Sequence, residues 1–92
     1  MIFYRARVTG KYEKDMPEGV QFAPIIESAA LGEYDGSWSV IVHPGNEGHI
    51  TFSFLAADAP RVLKEGDSFT LREGSIITAE GVVERIMEKN NY

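Results

Sequence analysis

The chain opens on strict alternation. In "IFYRARVT" Ile2, Tyr4, Ala6 and Val8 fall on one face, and Phe3, Arg5, Arg7 and Thr9 on the other. This is the period-two signature of a half-buried strand. The pattern returns in "SWSVIVH", with Trp38, Val40 and Val42 inward, and in "HITFSFL", with Ile50, Phe52 and Phe54 inward. The "PGNEG" between these two is turn chemistry, so they are expected to form a hairpin. A second pair follows: "SFTLR" with Phe69 and Leu71 inward, the turn "EGS", then "IITAEGVVERIM". Val82, Val83 and Ile86 also fit a helical stripe, but β-branched residues and Gly81 favour a strand.

Between these runs "GKYEKDMPEG" reads as a long exposed turn. Pro24 blocks a continuous central strand because it has no N–H. Extended chain is therefore expected from Val20 to Ile26 and irregular structure beyond, with room for a short helical turn between Glu27 and Leu31. "AADAPRVLKEGD" is a connector ending in a turn, and residues 88–92 are expected to fray. No repeat, heptad or low-complexity tract interrupts this series of short strands. The pattern predicts an all-β fold, a small closed barrel or a sandwich.

A length of 92 residues suits one domain spanning 1–92, and 43% apolar with 25% charged residues is ordinary globular composition. With no cysteine, disulfides, thiolate metal sites and cysteine nucleophiles are excluded. A cytoplasmic location is expected from this and from the lack of any apolar run of signal-peptide or membrane-spanning length. The net charge of −5 is uneven. Arg5, Arg7, Lys11 and Lys14 face the single acid Glu13 at the N-terminus, whereas residues 15–60 hold seven acids and no Lys or Arg. Phosphate backbones need clustered cations, so nucleic acid is disfavoured, and a basic protein is the expected partner.

"FTLREGSIITAEGVVERI" resembles the end of the C-terminal β-barrel domain of elongation factor Tu and its translation-factor relatives. The likeness rests on Phe69, Leu71, Arg72, Glu73, Gly74, Ala79, Gly81, Val82 and Val83. Upstream, "LKEGD" resembles that family's Pro-Gly-Asp turn with Glu65 in place of proline, and "HITFSFL" takes the place of the preceding strand. The resemblance runs from about His49 to Met87 and implies a closed antiparallel six-stranded β-barrel standing alone. The family's GTP chemistry sits in another domain, and no GxxxxGK[ST] loop occurs here. After Arg-Glu-Gly the family continues with a glycine, a basic residue and a threonine. Ser75, Ile76 and Ile77 stand here instead, which argues against tRNA contact through this hairpin.

Candidate chemistry is sparse. His43 and His49 with Glu47 are too few and too oddly spaced for a metal centre, so no metal and no cofactor is expected. Glu33, Asp35 and His43 allow an acid–base reading, set against a plain hydrophilic turn in "GEYDG". No serine lies in a GxSxG elbow. The leading expectation is a non-enzymatic protein-binding module, monomeric or a small homo-oligomer. Its contact residues would be Glu33, Tyr34, Asp35 and Trp38, with Arg72 and Glu73 of the turn. Gly74 and the two charges are also explained by turn chemistry alone. One alternative is an RNA or tRNA binder using Arg5, Arg7, Lys11, Lys14 and Arg72. Another is a small-ligand binder or enzyme at a barrel mouth lined by Tyr34, Asp35 and His43.

Overall fold

A computed structural model describes residues 2–12, 21–34, 37–45, 47–55 and 63–88, the side chains of 32–34 excepted. Six strands make up the fold: β1 (Ile2–Gly10), β2 (Ile25–Glu27), β3 (Ser37–Pro44), β4 (His49–Phe54), β5 (Ser68–Glu73) and β6 (Ile76–Glu88). A 3-10 helix over Ala29–Tyr34 links β2 to β3. Every pairing is antiparallel, and the order β1-β4-β3-β2-β5-β6 closes when β6 returns to β1. Both expected hairpins are present, with Pro44 opposite Ile50 and Glu73 opposite Ile76.

The alternation sets which side chains fill the barrel. Tyr4, Ala6 and Val8 of β1 are buried, as are Val40 and Val42 of β3, Ile50 and Phe52 of β4, and Phe69 and Leu71 of β5. Phe52 is the hub. Its ring stacks on Tyr4 at 5.2 Å and meets Phe69 edge-on at 5.3 Å, geometries that favour aromatic pairs beyond simple burial. Trp38 lies opposite buried Ile26 on the inner face and packs against this core, half-buried.

Pro24 explains why β2 is only three residues long. The chain before it is already extended: Phe22 exchanges both backbone hydrogen bonds with Val42 at 3.0 and 2.7 Å, and the Pro24 carbonyl accepts from Val40 N at 3.1 Å. A proline can accept in a ladder but cannot donate, so the ladder is interrupted there.

Tight turns join β5 at both ends. Gly74 has φ +62° and Ser75 is not left-handed, which is the signature of a two-residue type II′ hairpin loop with glycine first. Before β5, Lys64 to Asp67 closes with Asp67 N donating to Lys64 O at 3.1 Å, and Gly66 has φ +93°. That is the type II position demanding glycine, and Glu65 sits where proline is favoured.

The expectation of an exposed turn after β1 is corrected at Tyr12, which is fully buried. Gly10, with φ +103°, ends the strand and turns the chain back so that Lys11 N donates to Thr78 O at 2.8 Å. Tyr12 then drops onto the end of the barrel, 5.3 Å from the Phe22 ring. In the connector before β5, Leu63 is likewise buried in the core. Lys14, Asp35 and the 89–92 part of the tail lie outside the described residues, as do the side chains of Glu33 and Tyr34.

Candidate functional site

The outer face of β1, β6 and β5 carries an open groove with a cavity volume of ≈ 540 Å³. Register places its side chains in two rows across the strands. One row is Arg7, Val82 and Ser68; the next is Thr9, Glu80, Thr70 and Glu27. The floor is low because its outward residues are small, Thr9, Thr70 and Ser68, beside the backbone of Gly81, whose missing Cβ would point into the barrel. Gly81 has no room for more, since a Cβ there would lie 2.6 Å from Phe69 Cζ and 2.9 Å from the Arg7 carbonyl oxygen. Arg7 forms one wall, and the turn from Glu27 through Ser28 to Ala29 forms the other. Ser28 anchors that turn by donating to Ser68 O at 2.8 Å and accepting from Ala30 N at 3.3 Å.

The charges of the groove differ in how they are held. Glu27 is paired with Arg72, whose Nη1 also donates to Gly74 O at 2.7 Å. Arg7 Nε lies 3.8 Å from Glu84 Oε2, a loose pair. Glu80 is exposed between Thr9 and Thr70 and makes no ion pair or side-chain hydrogen bond among the described residues. Beside it, Val82 leaves 44% of its surface in water. Ile77 continues the apolar strip along β6 at 60% exposed. A carboxylate without a described partner, next to exposed apolar surface and flanked by hydroxyls, suits an extended segment that brings one cation and one apolar side chain.

At the end of the barrel, Lys11 Nζ donates to both oxygens of Glu73 at 2.9 and 2.7 Å and lies 4.7 Å from the Phe22 ring centroid. Tyr12 O–H donates to Glu73 Oε1 at 3.4 Å. Burial, followed by the Glu73 charge, pushes the Tyr12 phenol up to about 12. Arg72 and Glu73, two of the turn residues read as contact candidates, thus tie the β5–β6 hairpin to β2 and to the segment after β1. Such half-exposed pairs stabilise by roughly 0.2–1 kcal/mol each.

The five cations of the nucleic-acid reading do not share a free face. Lys11 and Arg72 are neutralised by Glu73 and Glu27, Arg5 and Arg7 project from the β1 wall, and Lys14 is outside the described residues. His43 pairs across the hairpin with Thr51, and His49 Nε2 lies 3.1 Å from Glu84 Oε1. No group of three or more metal-ligating side chains converges among the described residues. None of the described helices is long and apolar enough to cross a membrane.

The sequence reading missed Glu80 and Val82 as a pair. The alternation of "TAEGVV" puts both on the outer face, and that was the available signal; their meeting with Thr9, Thr70 and Ser68 needs the barrel register. Comparison with known proteins adds no relative: no family model matches the chain, and no curated protein or solved structure does so.

Proposed function

We propose that this chain is a non-enzymatic binding module whose β1–β6–β5 groove docks an extended, basic segment of a partner protein. The observation that carries the reading is Glu80, a carboxylate in the groove with no ion pair or side-chain hydrogen bond among the described residues, beside exposed Val82. The shape supports a polypeptide over a small ligand. Small-molecule sites bury 70–90% of their ligand, which an open groove does not provide. A long segment gains instead from contacts repeated along it. The groove hydroxyls also favour binding over chemistry, since Ser28 is engaged with backbone groups and no hydroxyl of the groove is hydrogen-bonded to a histidine or carboxylate among the described residues.

The finer fold assignment belongs to the same proposal. The pieces resembling the elongation factor Tu C-terminal barrel fall on β4, the Lys64–Asp67 turn and the β5–β6 hairpin. This supports reading the fold as a barrel of that kind. The acidic contact segment moves in this reading from Glu33, Tyr34 and Asp35 to Glu80.

Selection of a random displayed-peptide library on the folded protein tests the function. Recovered peptides are expected to share a Lys or Arg beside an apolar residue and to lose binding to Glu80→Lys. Peptides without a cation, or binding unchanged by that substitution, would overturn it.

A further inference from the structure

On the barrel wall beside the groove, β6 carries one residue more than its partner. Ala6 lies opposite Val83 and Arg5 opposite Arg85, leaving Glu84 without a counterpart in the ladder. Val83 is buried. Uninterrupted alternation would send Arg85 to that same inner side, but the bulge returns it to the outer face with Arg5. Both arginines are exposed.

This arrangement has an electrostatic cost. Directly opposed residues on antiparallel strands have Cβ atoms about 4.5–5.5 Å apart, and like charges there destabilise the pairing. Neither Arg5 nor Arg85 makes an ion pair or side-chain hydrogen bond among the described residues. Glu84, the nearest carboxylate in sequence to Arg85, faces Arg7 and His49 instead. On the other side of Arg5 the ladder places Thr51. A depression of ≈ 370 Å³ opens there, lined by Arg5, Thr51, His49 and Glu47 among others. Among the described residues of this patch Arg5, Arg7 and Arg85 outnumber Glu84 and Glu47, which leaves a positive excess.

The geometry points to a binding site for a phosphomonoester dianion between Arg5 and Arg85. A carboxylate offers two oxygens and one charge, which a single guanidinium fork satisfies. Two forks side by side match a group with three terminal oxygens and a charge of about −1.5 to −2. Thr51 adds a hydroxyl donor at the edge. A phosphodiester, with one charge and two free oxygens, leaves one fork unsatisfied, so the site discriminates against nucleic-acid backbone. Neither Arg5 nor Arg85 lines the peptide groove, so this proposal stands or falls separately from it.

The test is NMR titration of the arginine Nε–Hε resonances with phenyl phosphate, dimethyl phosphate and a single-stranded oligonucleotide. Phenyl phosphate is expected to shift Arg5 and Arg85 saturably, and dimethyl phosphate to bind about tenfold more weakly or less. Arg85→Gln and Arg5→Gln should each lose about tenfold or more in affinity while the backbone spectrum stays that of the folded barrel. Three results would overturn the site: no saturable shift, equal or tighter binding of the diester or oligonucleotide, or undiminished binding in both folded variants.

Discussion

The Tyr12 phenol is strongly perturbed, and its shift makes a prediction of definite sign. Its ordinary value of 10.0 rises to about 12 in the fold. Below pH 10 the phenol is neutral whether folded or unfolded, and its contribution is fully present. Between pH 10 and 12 only the unfolded chain ionises, so stability falls by on the order of 2–3 kcal/mol across that window. Ultraviolet titration of tyrosinate should show a late step that disappears in Tyr12→Phe and moves to lower pH in Glu73→Gln. Gly81 makes the second prediction at this scale. A methyl group there would press on Phe69, Val8 and the Arg7 carbonyl, so Gly81→Ala should cost about 1–3 kcal/mol through overpacking. The urea midpoint should fall with the slope unchanged; an unaltered midpoint would show that the barrel wall yields. The sequence contained both residues but not their roles. Tyr12 sat among charges and read as solvated, because nothing local shows that Gly10 reverses the chain onto the barrel end.

The hairpins and the barrel faces of β1, β3, β4 and β5 were legible because closure buries one face and period-two alternation records it. Pro24 was legible for the same reason that β2 is short, a missing donor. The bulges in β6 were not. At Thr78 and Glu84 the strand gains a residue on its partners, and the same letters "IITAEGVVERI" would fit an unbroken strand. The β3–β4 loop hid another feature: Glu47 takes φ 58° just before Gly48 at 77°, a conformation that a glutamate does not advertise. Pairing predicts how β6 exchanges its amides. Residues 79–82 have β1 on one side and β5 on the other, whereas 85–88 pair with β1 alone among the described strands. Hydrogen exchange should find every amide of 79–82 protected and alternate amides of 85–88 fast. Uniform protection out to Glu88 would mean that another part of the chain covers that edge.

For the whole molecule, the charge imbalance read from the sequence pointed to a basic partner and to a contact that includes Glu33, Tyr34 and Asp35, of which Asp35 and the side chains of Glu33 and Tyr34 lie outside the described residues. The barrel register assembles Glu80, Val82 and the hydroxyls of Thr9 and Thr70 from three strands, where the proposed function places the basic partner. It also separates cations that composition lumps together, tying Lys11 and Arg72 into ion pairs while leaving Arg5 opposite Arg85. In the proposed binding mode Glu80 receives a cation from an extended segment. A charge-swap cycle measures this most directly, using the strongest peptide from library selection and its variant with the basic residue changed to Glu. Affinity should drop about tenfold or more for Glu80→Lys with the original peptide and recover when both charges are reversed. If the two reversals act independently, with no recovery, the basic residue does not meet Glu80 and the groove reading is contradicted.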